Sequence, residues 1–414
     1  MTDLQDRLNA ALDRLVPDGP GPIAVAYSGG GDSTALLHLT TRWAADRGRA
    51  VIAATVDHGL RAESADEAAA AGRAARKLGV GHTILRWTGG DSPGNLMANA
   101  REARLRLISD WARAAGAIAV VQGHTRDDQA ETVLMRLTRG AGVDGLSGMA
   151  PARAVSGLLW LRPLLEIDRA GLRDWLTARG IGWADDPSNE KPEFERIRMR
   201  QAAAALTDLG ITPVALTQVA ENMAMARQAL GFFATRAAGG AEVRNGDIML
   251  PFQPLAEQPD EIRRRLIVAA LRLVTGASYA PRRASVAGLM AGMREGGRAT
   301  LDGVLITVDQ HRIFFGREPE AARRAPPMQG EIWDNRWYIK GALAPGQTVA
   351  ALGYDALAEI DWRGSGLSRD AAAASPAIWQ NGALCAAPLL GKPGDWAVRP
   401  VRSLADFHAL LISH

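Results

Sequence analysis

Residues 23–39 constrain this chain more than any other stretch. An apolar run, Ile23-Ala24-Val25-Ala26-Tyr27, meets Ser28-Gly29-Gly30-Gly31-Asp32-Ser33, and Thr34-Ala35-Leu36-Leu37-His38-Leu39 follows at once. An apolar run that ends at glycines predicts a buried strand, a tight turn and the first turns of a helix. Consecutive glycines admit backbone conformations closed to other residues and let N–H groups approach an anion. The helix start adds unpaired N–H donors and the positive end of the helix dipole. Such a turn suits a phosphate. It is not the Lys-bearing GxxxxGK[ST] loop, because no Lys follows the glycines and the loop is too short. Taken alone, the stretch equally describes a Gly-rich strand-to-helix turn with a Ser/Asp cap.

The surrounding pattern sets the class. Strand candidates at 23–27, 51–56, 82–87 and 117–121 alternate with helical stretches at 33–47, 63–78 and 95–115. Apolar strands interleaved with amphipathic helices predict an α/β domain, a doubly wound parallel sheet covered on both faces. Ligands then bind beyond the carboxyl ends of the strands, where the Ser28 loop falls. Residues 160–205 are expected to add helices and a polar loop at 184–189. From about 213 the texture changes. Helical stretches at 213–237 and 259–275 flank a β-like segment at 242–250, and a strand pair near 299–315 turns at Asp302-Gly303. Residues 318–330 read as a linker, and the stretch beginning Ile332-Trp333-Asp334-Asn335-Arg336-Trp337 reads as a small β-rich module. Three segments are expected: a catalytic domain at 1–212, a mostly helical domain at 213–317, and the module at 331–414.

Composition excludes several classes. No stretch reaches the ~18 apolar residues of a membrane helix, and the N-terminal residues lack the basic-then-apolar pattern of a secretory signal. A cytoplasmic protein without a membrane partner is expected. Cys385 is the single cysteine among 414 residues, which rules out an intramolecular disulfide or a multi-Cys zinc site. The net charge is only +3, yet Arg clusters at 196/198/200, 263–265, 282–283 and 323–324. Such patches allow contact with nucleic-acid phosphates, and a solvated helix face explains each of them as well.

Four further stretches carry chemistry. Val56-Asp57-His58-Gly59-Leu60-Arg61 ends the second strand, beside the loop in a doubly wound sheet, where Asp57 and His58 can meet a nucleotide's base or ribose; a polar strand-end turn is the competing reading. Gly123-His124-Thr125-Arg126-Asp127-Asp128-Gln129-Ala130-Glu131 follows the 117–121 strand, and Asp128 and Glu131 share one helix face. Two carboxylates there suit a magnesium ion or a substrate ammonium group; helix capping is the competing reading, and both can hold at once. The third, 139–146, is a Gly-rich basic turn that also reads as a helix C-cap. The fourth runs from Arg162-Pro163-Leu164-Leu165 through Trp183-Ala184-Asp185-Asp186-Pro187-Ser188-Asn189 to Arg196, Arg198 and Arg200. An extended or helix-entry segment would aim two of these three arginines at phosphates.

The loop resembles the pyrophosphate-binding loop of the ATP pyrophosphatases. Together, SGGGDS, VDHGLR, GHTRDDQAETVLMRLTRGAGVDGLSGM, RPLL and WADDPSN…FERIRMR resemble the tRNA(Ile)-lysidine synthetase family in order and approximate spacing. The likeness is strong over 23–200, weaker over 213–315, and rests mainly on IWDNRW beyond that. It departs at Thr125 (the family usually has a second His), at Ile197 (usually Asn) and at Leu105 (often Tyr).

The resemblance implies an adenine nucleotide α-hydrolase-like fold and an ATP-dependent ligase. Members join L-lysine to C2 of the wobble cytidine of a CAU-anticodon tRNA(Ile), using ATP and Mg2+ and releasing AMP and pyrophosphate through an adenylated cytosine. It assigns Ser28, Gly29, Gly30, Gly31, Asp32, Ser33, Asp57, His58 and His124 to the nucleotide, and Asp32 to the metal. Asp128 and Glu131 then serve the lysine and its proton, with Asp32, Asp128 and Glu131 as the catalytic set. Arg196, Arg198, Arg200, Arg263 and Arg264 are the expected tRNA contacts, and a homodimer is an allowed assembly. Two other readings stay open here. Another tRNA-modifying pyrophosphatase is one, although sulfur-carrying types need cysteines that Cys385 alone cannot supply. A non-catalytic, ATP-sensing RNA-binding module is the other, against which stand Asp32 and the Asp128/Glu131 pair.

Overall fold

In the computed structural model, the described residues are 3–59, 63–89, 96–184, 199, 205–293 and 297–412. They divide into two compact units, Met1–Arg227 and Gln228–His414.

The first unit is built on a six-stranded sheet. Its elements are α1 (Leu4–Leu15), β1 (Ile23–Ala26), α2 (Gly31–Ala45), β2 (Val51–Asp57), α3 (Ser64–Lys77), β3 (Gly81–Arg86) and α4 (Leu96–Ala114). β4 (Ala119–Gln122), α5 (Arg126–Leu137), α6 (Val143–Leu146), β5 (Ala152–Val155), β6 (Leu158–Leu161) and α7 (Arg169–Thr177) follow. The strand order is β3-β2-β1-β4-β6-β5. All neighbours are parallel except the β5/β6 pair at the edge, which is antiparallel. The expected doubly wound sheet is therefore present, with one antiparallel edge strand that the sequence pattern did not suggest.

β1 is the central strand, and each of its residues is buried. Its side chains divide between two cores. Ile23 and Val25 join Leu8, Leu12, Leu36, Leu39 and Trp43 on one face, while Ala24 and Ala26 meet Ile108, Ala112 and Trp160 on the other. The chain leaves β1 toward β2 and β3, then returns to β1's other side as β4. Residue pairs Ile23↔Val51 and Ile23↔Ala119 set both neighbours in parallel register. The strand order thus reverses between β1 and β4, and loops leaving those two strands diverge to leave a crevice. The Ser28 loop and Gly123 both open there.

The second unit contains a five-stranded antiparallel sheet, ordered β7-β8-β11-β10-β9, from β7 (Glu242–Arg244), β8 (Asp247–Pro251), β9 (Gly297–Leu301), β10 (Val304–Val308) and β11 (Arg312–Arg317). The Asp302-Gly303 turn has φ of 49° and 75°, the double positive φ of a tight hairpin. Helix Asp260–Thr275 packs its apolar side into this unit's core with Ile248, Phe315 and Phe407. The region expected to be mostly helical therefore owes much of its core to a sheet. Two three-stranded sheets form the C-terminal part: β12 (Ile332–Trp333), β13 (Trp337–Lys340) and β17 (Ala397–Pro400), and β14 (Gln347–Ala351), β15 (Pro376–Gln380) and β16 (Ala383–Ala386). Trp333 and Trp337 are buried in the core with Ile339. No helix among the described residues is long and apolar enough to cross a membrane.

Candidate active site

The turn after β1 is held open by its own side chains. Gly29 takes φ +85°, a left-handed conformation that carries the chain out of the sheet. The Ser33 hydroxyl donates to the Gly30 carbonyl at 2.9 Å and accepts from the Ser28 N–H at 3.2 Å. Thr34 Oγ1 and the Ala184 N–H both donate to the Gly29 carbonyl, at 3.1 and 3.0 Å. These bonds occupy the Gly29 and Gly30 carbonyls, and Gly30 forms a parallel β-bridge with Ala184. α2 starts at Gly31 with Gly30 as its cap residue, and no side chain caps it. Its first N–H groups have no intrahelical acceptor, so the turn offers donors and a positive dipole end to an anion. Gly123, leaving β4, lies against this turn. A Cβ at 123 would sit 3.2 Å from Asp32 C, Asp32 O and Ser33 N.

Across the crevice, Thr125 caps α5. Its hydroxyl accepts from the Asp128 N–H at 3.4 Å, while Asp128 Oδ2 accepts from the Thr125 N–H at 2.8 Å and hydroxyl at 3.0 Å. This reciprocal cap explains the Thr at the position where a second His was expected. Capping uses Oδ2 and turns Oδ1 toward the crevice. Glu131 lies one turn on, and both carboxylates are buried.

Arg169 ties these acids together, and the sequence reading missed it. Its Nε lies 3.1 Å from Asp32 Oδ2, its Nη2 2.9 Å from Asp128 Oδ1 and its Nη1 3.6 Å from Glu131 Oε1. Its own N–H donates to Asp127 Oδ2 at 2.8 Å, fixing the start of α7. Burial works against the Arg169 cation, but Asp128, Asp32 and Glu131 outweigh it and hold its pKa above the usual guanidinium value. Burial pushes the Asp32 carboxyl up despite the opposing pull of Arg169. The other Asp32 oxygen, Oδ1, is buried with no hydrogen-bond partner among the described residues. No cluster of three or more His, Cys, Asp or Glu side chains among those residues is arranged to hold a metal by itself.

On the β2 side, a cavity of about 230 Å³ is lined by Ala26, Tyr27, Ser28, Val56, His58 and Arg104, among others. Burial, then the nearby Arg104, lowers the His58 pKa and favours its neutral ring. Burial, then Arg101, lowers the pKa of Arg104 itself. Arg104 is the second residue that sequence reasoning passed over. Arg101, Glu102 and Arg106 surround it in the sequence, so nothing local singles it out. Asp57, in contrast, is spent locally: Oδ1 accepts from the Ser64 hydroxyl at 2.5 Å and the Gly59 N–H at 3.0 Å. His124 follows β4 at the mouth of the crevice, half-buried.

The expected tRNA contacts separate. Arg196, Arg198 and Arg200 lie outside the described residues, as do 185–189. Arg263 pairs with Asp260, and Arg264 with Glu261 at 2.7 Å, each within one helix turn.

Residues 2–206 match the family model of the PP-loop domain. The chain is 43% identical over 412 residues to a tRNA(Ile)-lysidine synthase of Ruegeria pomeroyi, covering 99% of this chain and 98% of that one. The chain belongs to the tRNA(Ile)-lysidine synthase family. It is also 40% identical to a Bradyrhizobium tRNA(Ile)-lysidine synthase over 73% of this chain and 92% of that one. A relative of the same name from Hyphomonas neptunium is 36% identical over 85% and 95%. The family is one of ATP-using PP-loop enzymes.

Proposed function

We propose that this chain is a tRNA(Ile)-lysidine synthase that joins L-lysine to C2 of the wobble cytidine of a CAU-anticodon tRNA(Ile). The observation that carries the reading is the convergence of Asp32, Asp128 and Glu131 on Arg169, beside the uncapped N-terminus of α2. A binding module would not need three carboxylates at one point of its nucleotide site, given the repulsion they impose.

In this mechanism ATP lies across the crevice, its adenosine toward the cavity at His58 and its phosphates at Ser28–Ser33. The cytosine C2 oxygen attacks the α-phosphorus, the α–β bond breaks, and pyrophosphate leaves into the N–H donors of the loop and the Ser28 and Ser33 hydroxyls. A carbonyl oxygen is a poor leaving group, and adenylation makes it a good one. Asp128 and Glu131 hold the side-chain ammonium of lysine beside C2. One of them takes a proton, the neutral amine forms the C–N bond, and AMP departs with the C2 oxygen. In this reading Arg104, in the cavity with His58 and Ser28, and His124 after β4 would meet the nucleotide. Asp32 fits a magnesium ion, because a buried carboxylate oxygen lacking a partner is the ligand such an ion takes alongside phosphate oxygens. When bound, the ion would neutralise charge on the leaving pyrophosphate.

Residues 1–212 form the catalytic domain in this reading, and 213–317 and 331–414 grip the tRNA body. Wobble chemistry alone cannot tell tRNA(Ile) from a tRNA(Met) with the same anticodon. Arg196, Arg198 and Arg200 remain the proposed contacts near the anticodon. Arg263 and Arg264 must exchange their helix acids for phosphates to contribute. Cytoplasmic tRNA is the substrate pool. The test is AMP release with and without tRNA(Ile). The reading expects release only with tRNA and lysine together at full turnover; tRNA-independent AMP formation at the same rate would overturn it.

A further inference from the structure

The Arg169 guanidinium stands where two incoming ligands must go. Its Nη2 and Nη1 face Asp128 Oδ1 and Glu131 Oε1 at 2.9 and 3.6 Å, the pair that the proposed function gives to the lysine ammonium. Its Nε faces Asp32 Oδ2 at 3.1 Å, on the pyrophosphate side. An ammonium group and a guanidinium cannot both take the same buried carboxylate oxygens at contact distance, since like charges a few ångströms apart repel strongly away from water. With no cation present, however, three carboxylates could not stay ionised together at one buried point. The side chain is suited to leaving. Its backbone is anchored by the N–H bond to Asp127, and among the described residues the side chain is held by the three acids, the same groups the ligands would take.

We propose that Arg169 is a placeholder cation, displaced jointly by magnesium–ATP and lysine, so that each ligand eases entry of the other. The inference rests on the proposed seat of lysine at Asp128 and Glu131. Whichever ligand arrives first loosens the guanidinium from a site that three acids held together. The second then meets an arginine already part-released and spends less of its binding free energy on displacement. Such sharing produces positive coupling between the two sites, equal in both directions. Arg169 is in this sense a positioning residue that couples the two substrates.

Calorimetry on the full-length protein tests this without turnover. The lysine Kd is measured with and without a non-hydrolysable ATP analogue and magnesium, in wild type, Arg169→Gln and Arg169→Lys. Wild type is expected to bind lysine about 10-fold or more tighter with the nucleotide, within the usual 5- to 150-fold range of such couplings. Arg169→Gln should bind lysine without nucleotide as tightly as wild type does with it, and lose the coupling. Arg169→Lys, with a shorter cation that cannot bridge all three acids, should fall between. Absence of coupling in wild type overturns the proposal whether or not the variants fold. Coupling that persists in Arg169→Gln, or lysine binding that weakens in it, overturns it equally. Glu131→Ala separates the two readings. If that variant binds lysine normally, the seat itself is wrong; if it fails to bind while Arg169→Gln shows no gain, only the placeholder role is.

Discussion

Gly123→Ala should damage nucleotide binding more than its size suggests. A methyl group at 123 would lie 3.2 Å from the Asp32 carbonyl carbon and oxygen and the Ser33 nitrogen, so a neighbour must give by a few tenths of an ångström. Comfortable carbon contacts begin at about 3.5 Å. The obstacles are backbone atoms of the phosphate turn, which cannot rotate aside. Either the end of β4 recedes or the Asp32–Ser33 peptide moves, and overpacking of this kind costs about 1–3 kcal/mol. If the turn moves, the cost appears in binding, as a roughly 5- to 150-fold rise in the Kd for magnesium–ATP at about 1.4 kcal/mol per tenfold. If β4 recedes, it appears as a lower Tm. Calorimetry and thermal unfolding on one preparation separate these routes. Gly288→Ala is the control: a Cβ there meets nothing within 4 Å, and it lies in helix Arg283–Met293. That change should stabilise by about 0.5–1 kcal/mol and leave ATP binding alone. A Gly123→Ala protein with wild-type Kd and wild-type Tm would refute the close seating of the turn on β4.

Glu131→Ala should raise the lysine requirement about 10- to 150-fold, the 1.5–3 kcal/mol of a charge-assisted contact, with a much smaller change for ATP; steady-state titration of each substrate checks this, and a loss confined to ATP contradicts it. The Ser64 hydroxyl and then the Gly59 N–H hold the Asp57 carboxyl below its usual pKa. Because the folded value is the lower one, the stability from this carboxylate is complete above about pH 4 and fades as pH falls through the folded pKa. Asp57→Asn should therefore show a Tm deficit at pH 7 that narrows as pH falls below about 4, and a deficit unchanged at pH 3 would contradict this. In the second unit, Arg336 Nη2 lies 2.6 Å from Asp247 Oδ1, with both residues buried. Arg336→Ala strands that carboxylate and should cost about 3–5 kcal/mol in urea unfolding; a loss under about 1 kcal/mol would show the pair to be dispensable.

The parallel core was legible because its signals are local. β1, β2 and β4 are short apolar runs next to glycines, and buried parallel strands need little else. The β5/β6 hairpin was missed although its turn, Ser156-Gly157, carries the positive φ values (50° and 76°) of a tight two-residue turn. β5 carries Arg153 and none of its four residues is fully buried, so no apolar run marks this edge strand. α1 escaped for a related reason: three turns anchored by Leu8 and Leu12 offer little periodicity before β1. The phosphate turn and the Asp128/Glu131 helix could be read as one site because glycines, a cap and adjacent acids mark each of them. Arg169 could not be, since its partner Asp32 is 137 residues away and nothing local distinguishes it from the chain's many surface arginines. The stretch from Ile332 to Trp337 read as a β-rich module, and Trp333 and Trp337 are the core of its small sheet.

Transfer of labelled lysine into tRNA(Ile) transcripts tests the central claim most directly. The transcripts should carry either a CAU or a GAU anticodon, with AMP counted in the same reaction. The account predicts one lysine per CAU transcript, one AMP per lysine, and no label in the GAU transcript. AMP formed without lysine transfer, or label gained equally by both transcripts, would contradict it.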